Sequence, residues 1–499
     1  MMTTEKEFGK WRSILFPIHT HELKKLVPLA LIFLFISFNY SMLRGLKDVF
    51  VLNRLSKDSI YVLKVMVIPS VILFTALYTF IAKRVNRDVR FNIVIIYFFM
   101  FFFLFYVVLL PKCESLELVG VQEWLSAKFP KFSHWWKCIR VWPISLFYIH
   151  AEVWGTLVLG VAFWTFANEI VSSVQAKRVY PFLMVGAGVG GILSGVFLFF
   201  FNKWENLQIG LALVLIVWIL GVYNILARNI AKYPVAYGIE QRAPRLKASL
   251  TFIQSIKVLL SSRYLLLVAC VVFGYNMFVV FLESVWKSCA GLYSESLVTS
   301  FLDIPGATMS TARLYSKTKM TGIYGLQSIF TGVMSLLWIF FVAGPVSKKS
   351  WKFTALFTPL LAMVMSLAFW LFYSYGGSFG SGEFKGAHIF YVVFVGLIIL
   401  SCIKSSKYVF FDTSKERAYI PLDDESKTNG KAAIDAIGSR LAKGLSAVCI
   451  SGVLTPIYGS IDKAANVSFL MVFILIFFWI IAVLALNPEY EKKLKQQNS

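Results

Sequence analysis

The sequence predicts an all-α polytopic membrane protein with about twelve transmembrane helices, and three observations predict it. Of its 499 residues, 58% are hydrophobic and only 15% are charged, whereas soluble domains run at about 45–50% apolar and about 25% charged. Apolar runs of about twenty residues recur along the whole chain, long enough to cross about 30 Å of hydrocarbon at 1.5 Å per residue. The net charge of +23 falls mostly between those runs, as basic cytoplasmic loops require. A soluble multidomain enzyme and a disordered chain are excluded.

Twelve spans are expected near residues 26–43, 60–82, 91–110, 142–164, 180–201, 207–227, 264–282, 322–344, 353–375, 387–403, 433–457 and 467–486. The first follows about 25 polar and basic residues, so no cleavable signal peptide is expected. The eleventh is the least apolar, because Lys431, Asp435, Arg440 and Lys443 crowd its start. An even number of spans puts both termini on one side. With that side cytoplasmic, the inner segments hold 30 Lys and Arg and the outer loops 16, the bias that orients such chains.

The longest stretch without a span, residues 228–263, is basic and cytoplasmic on this reading. It divides the chain into an N-terminal six-helix half (1–227) and a C-terminal six-helix half (264–499), a major-facilitator-like layout. Phe163–Gly195 and Phe410–Gly444 both run from an aromatic span end through a basic loop into a Gly-rich helix, a faint sign of two related halves.

Two motifs mislead. Gly186-Ala-Gly-Val-Gly-Gly191 matches the dinucleotide fingerprint but lies inside a span, without the preceding strand or the following acid. Its glycines, four apart, suit close helix packing. Gly438-Ser-Arg-Leu-Ala-Lys443-Gly444 lacks the G-K-[S/T] of a phosphate loop. The six cysteines are scattered without metal-ligand spacing, so no metal, cofactor or disulfide framework is expected.

Ionisable residues inside spans are costly and so mark function or pairing. Arg44 and Lys47 close the first span on roughly one helical face, and Lys64 lies within the second. Glu152 sits in the fourth among apolar residues, Glu283 ends the seventh beside Trp286 and Lys287, and Lys431, Asp435, Arg440 and Lys443 open the eleventh. Each either snorkels to the interface, pairs across helices, or faces a central opening. His150 reads as a satisfied buried histidine. Lysines and arginines around one opening suit a polyanion such as a di- or triphosphate, with carboxylates tempering the charge of the empty site.

Five ordered stretches then resemble one family: Phe38-Asn-Tyr-Ser-Met-Leu-Arg-Gly-Leu-Lys47-Asp48, Phe147-Tyr-Ile-His-Ala-Glu152-Val-Trp154-Gly, Phe163-Trp-Thr-Phe-Ala-Asn168-Glu169, Asn276 to Lys287, and Ala418-Tyr-Ile-Pro-Leu-Asp423 continuing through Gly430-Lys431-Ala-Ala-Ile-Asp435 to Lys443. The chain resembles the nucleotide transporters of obligately intracellular bacteria and plastids, the ATP/ADP translocases. That resemblance implies import of host ATP in exchange for ADP, and it marks Lys47, Glu152, Glu283 and a lysine around the eleventh span, Lys431 or Lys443. Three departures stand out: Gly45-Leu46 replaces a polar pair, Glu169 replaces a glutamine, and Ala442-Lys443-Gly444-Leu445-Ser446 replaces Gly-Lys-Ser-Gly-Gly.

The expectation is thus an ATP/ADP antiporter, not an enzyme, acting as a monomer in the cell inner membrane with ATP and ADP as its substrates and no nucleic acid. Lys47, Lys431, Lys443 and Arg44 would neutralise phosphates. Glu152 and Glu283 would pair with the lysines when the site is empty, Glu169 and Asp435 are candidates for coupling, and Tyr40 or Trp154 for stacking the base. The alternative is a proton-coupled net importer, or an exchanger of GTP, CTP, UTP or NAD.

Overall fold

The computed structural model describes residues 19, 22–82, 84–171, 173–234, 262–342, 350–376, 388–422, 430, 434 and 439–498. Among them twelve helices are long and apolar enough to span a membrane. They are α1 (Leu23–Arg54), α2 (Ser59–Ala82), α3 (Asp88–Leu109), α4 (Trp142–Ile170), α5 (Leu183–Phe200), α6 (Glu205–Lys232), α7 (Arg263–Leu302), α8 (Met309–Val342), α9 (Trp351–Tyr375), α10 (His388–Ala418), α11 (Leu441–Tyr458) and α12 (Ala465–Gln496). In lipid the backbone must satisfy its own polar groups, and a helix does so within one segment. Prolines inside α1, α2, α9 and α12 (Pro28, Pro69, Pro359, Pro488) each remove one of those bonds and are tolerated where neighbouring groups or local adjustments satisfy the freed carbonyl.

Several helices outrun their apolar stretches. α1 continues to Arg54 instead of stopping near residue 43, α7 to Leu302 instead of 282, and α10 to Ala418 instead of 403, while α8 begins at Met309 instead of 322. Hydropathy stops at the first charges, but these charges are paired inside the bundle and do not end the helix. Arg44, Lys47 and Glu283 therefore lie well within their helices rather than at span ends. α6 likewise runs to Lys232, past the expected start of the linker at 228; residues 235–261 of that linker lie outside the described residues.

Among the described residues the packing has, besides a small cluster around Val409 and Phe410, two large apolar cores. One gathers residues of α1 to α6, among them Phe98, Phe102, Trp154 and Tyr223. The other gathers α7 to α12 around Phe278, Phe369 and Trp479, and takes Val49 of α1 and Tyr61 of α2 into its edge. Between the cores, α5 lies against α8 so closely that backbones touch. A Cβ on Gly195 would stand 2.5 Å from the Gly325 carbonyl oxygen, and one on Gly190 would stand 2.7 Å from the Leu34 oxygen of α1. The dinucleotide-like glycines are thus packing residues at the seam, as small residues are between membrane helices.

The seam is also tied at the face opposite the termini, here called the distal face. Lys57, in the turn between α1 and α2, pairs with Asp462 at 3.1 Å and Glu295 at 3.6 Å. Its neighbour Asp58 accepts the Ile461 N–H at 3.1 Å. Burial pushes the Asp58 carboxyl up to about 6. Lys317 of α8 pairs with Glu205 of α6, a fourth tie across the seam.

Candidate functional site

α1 carries Arg44, Lys47 and Asp48 within one turn and a half, and a cluster of charges assembles around them. Lys47 Nζ lies 3.0 Å from Asp48 Oδ1 and 3.0 Å from Glu152 Oε1 of α4, and 3.9 Å above the Tyr148 ring. Asp48 Oδ2 in turn receives Lys287 of α7 at 2.7 Å. Lys287 reaches Glu283, one helical turn back, at 3.2 Å. The same oxygen, Glu283 Oε1, also meets Arg44 at 3.3 Å and Lys404 of α10 at 3.4 Å. An unbroken ionic chain therefore runs Glu152, Lys47, Asp48, Lys287, Glu283 from one six-helix core to the other. Tyr61 of α2 adds a hydroxyl bond to the Ser284 carbonyl of α7 at 2.9 Å.

Burial grades this cluster. The side chains of Lys47, Asp48 and Lys287 are each 2% exposed, so they form its dry centre. Arg44 and Glu152 are about one-third exposed, at 34% and 33%. Lys443 of α11 is exposed yet faces inward, within electrostatic reach of Glu152, Arg44 and Glu283. The two halves thus share a charged centre that water reaches along one side.

Charges at membrane depth persist only when paired or when they serve a pathway. Here the pairing is on view. The paired members bridge the halves, and the wetted ones stand where a solute can meet them. Helical irregularity accompanies them: π turns follow Glu152 at 154–162, Lys404 at 407–411 and Lys443 at 450–454. Such turns are frequent at functional positions, although two others, at 105–109 and 338–342, hold none of these charges.

The structure brings together Arg44, Lys47, Glu152, Glu283 and Lys443 of the residues singled out from sequence. Lys431 and Asp435 lie outside the described residues. Glu169 is elsewhere, paired with Arg90 at 3.1 Å and seventeen residues beyond Glu152 on α4, about 25 Å along a helix. Trp154 cannot stack a base in this conformation. It is fully buried in the N-terminal core against Phe98 and Phe102, with its indole N–H on the Ile36 carbonyl. His150 is satisfied by Tyr97 and the Leu146 carbonyl, each at 2.8 Å.

Sequence reasoning gave no site role to four members. Asp48 was visible only as the end of a motif, and Lys287 only as the neighbour of Glu283. Lys64 stood alone in its span. Lys404, at the end of an apolar run, counted as a cytoplasmic loop charge. Its signal was the small polar set Ser401, Ser405 and Ser406 beside it, all fully buried.

Two six-helix bodies joined by a tight seam, with an ionic cluster partway along the spanning helices shared between them, define a polytopic membrane carrier of major-facilitator architecture. Solved carriers of that architecture superpose on it. The xylose transporter XylE from E. coli in its inward-open conformation does so with a TM-score of 0.53 at 12% identity, over 91% of this chain and 95% of that one. A point mutant of the nucleoside transporter NupG does so with a TM-score of 0.50 at 13% identity, over 93% and 98%. At the level of sequence the chain belongs to the TLC ATP/ADP transporter family, whose model matches residues 1–303 and 307–490. Its relatives include ADP,ATP carrier protein 1 of Chlamydia trachomatis, 31% identical over 98% of this chain and 93% of that protein. ADP,ATP carrier protein 1 of Rickettsia prowazekii is 29% identical over 98% and 97%.

Proposed function

We propose that this chain is an ATP/ADP antiporter that works by alternating access, as a monomer in the cell inner membrane with both termini cytoplasmic. The observation that carries this reading is the ionic chain from Glu152 to Glu283, in which carboxylates hold the cations that a polyphosphate would need. The names of its relatives supply the nucleotide, and the excess of basic residues in the segments on the terminal side supplies the orientation.

On this orientation the distal face is extracytoplasmic, and its ties at Lys57, Asp58 and Lys317 close it in the present conformation. A nucleotide entering from the cytoplasmic side meets Arg44 and Lys443 first, where water already reaches. Phosphate oxygens then compete with Glu283 and Glu152 for their cations. Breaking the bridge between Lys47, Asp48 and Lys287 without cargo would strand buried charge at a cost of several kcal/mol. A bound polyanion supplies replacement partners, so the loaded carrier reorients and the empty one does not. Exchange follows from that difference in barrier.

The test is uptake of labelled ATP into proteoliposomes with and without internal ADP. Uptake that requires internal ADP supports the antiporter. Uptake into empty vesicles driven by a pH step identifies a net importer instead. Parallel runs with GTP, CTP, UTP and NAD read the base, which no feature of the cluster selects.

A further inference from the structure

Six cations of the central cluster, Arg44, Lys47, Lys64, Lys287, Lys404 and Lys443, face three carboxylates, Asp48, Glu152 and Glu283. Among the described residues the cluster therefore holds an excess of three positive charges. The excess is not spread evenly. Lys47 sits between Asp48 and Glu152, and Lys287 between Asp48 and Glu283, so both are held by two acids. Among the described residues Lys404 has only a share of Glu283 Oε1, which Lys287 and Arg44 occupy at shorter distances, and its ammonium makes no hydrogen bond to them although its side chain is only 10% exposed. Lys64 has no carboxylate within ion-pair distance among the described residues; its ammonium lies 5.5 Å from the Tyr61 ring centre.

We infer that Lys64 of α2 and Lys404 of α10, one from each half, are phosphate ligands of the transported nucleotide, and that Lys47 and Lys287 are the bridge that positions them. The inference rests on the nucleotide reading proposed above. Its physical reason is economy of charge. Three cations suffice to neutralise the three carboxylates, so the remaining ammonium groups do nothing for the empty protein except raise its energy. An anion that joins them during the cycle accounts for their presence. The charge they would accept, about three, is what a nucleoside diphosphate carries at neutral pH. Because α2 and α10 belong to different cores, a phosphate group held by both lysines would also draw the halves together around the cargo.

Exchange in proteoliposomes with Lys64→Gln and Lys404→Gln tests this, with AMP, ADP and ATP as external substrates. Each variant is expected to raise KM for ADP and ATP at least tenfold and KM for AMP less than threefold, because AMP brings fewer phosphate oxygens to lose. Lys64→Arg and Lys404→Arg should recover most of the affinity. Equal shifts for all three nucleotides, or wild-type KM values, overturn the inference. A second readout separates ligand from scaffold. Lys64→Met and Lys404→Met should melt at or above the wild-type temperature without nucleotide, and should lose most of the rise that ADP produces in the wild type. A lower melting temperature of the empty variants, or failure to fold, assigns these lysines to the scaffold and overturns the inference. Wild-type exchange is the reference in every series. Its absence would bring down the antiporter reading and this inference with it, whereas intact wild-type exchange with unaltered variants brings down this inference alone.

Discussion

Asp48→Asn strikes the bridge at its middle. In the wild type Asp48 holds Lys47 at 3.0 Å and Lys287 at 2.7 Å, and all three side chains are 2% exposed. Removing one partner from a buried ion pair costs about 3–5 kcal/mol, because the other charge stays buried and unmatched. Here the cost should sit near the lower bound, about 3 kcal/mol, since Lys47 keeps Glu152 and Lys287 keeps Glu283. For a body the size of one half, that loss corresponds to a fall in melting temperature on the order of 10 °C. Thermal unfolding in detergent, followed by tryptophan fluorescence, reads it directly. The pairing argument makes a sharper demand on the double variant. Lys287→Met added to Asp48→Asn removes the stranded ammonium and should return part of the loss, a coupling of about 0.5–3 kcal/mol. If Asp48→Asn melts with the wild type, or if Lys287→Met adds its full separate cost, the bridge is not what joins the halves here.

Lys47→Ala should reduce nucleotide exchange to background while the protein still inserts and purifies as a monodisperse species; near-normal uptake would remove Lys47 from the mechanism. Gly195→Ala should cost about 1–3 kcal/mol by overpacking, because its Cβ would meet backbone atoms of Gly325 and Ile329, which cannot swing aside; a melting curve unchanged from wild type would refute the closeness of the seam. The distal closure should depend on pH through Asp58. Its carboxyl titrates at about 6 in this closed form, above the ordinary value, so the closed form favours the protonated state and loses stability as pH rises through about 6. Between pH 5 and pH 7.5 the closure should weaken by about 1 kcal/mol relative to a form with Asp58 in water. Thiol accessibility at a cysteine placed on the distal face measures it, and Asp58→Asn should flatten the dependence; a slope that survives in Asp58→Asn assigns it to another group.

Much of this protein was legible before any coordinates. Lipid leaves the backbone few choices, so apolar runs alone announce twelve helices. The glycines at 186–195 could be assigned to packing because no strand or acid accompanied them. Charges within or at the ends of apolar runs marked a wider set of candidates, and the resemblance to the ATP/ADP translocases picked Lys47, Glu152 and Glu283 from among them.

Tertiary structure alone decided which charges meet. Asp48, Lys64, Lys287 and Lys404 come from α1, α2, α7 and α10, and no spacing along the chain relates residues brought together by packing between separate helices. Hydropathy also cut α1, α7 and α10 short at Arg44, Glu283 and Lys404, since it prices each charge as though it faced lipid. The energy of an ammonium group at membrane depth depends on whether a carboxylate stands about 3 Å away, and that distance belongs to the assembled bundle rather than to any one of its helices.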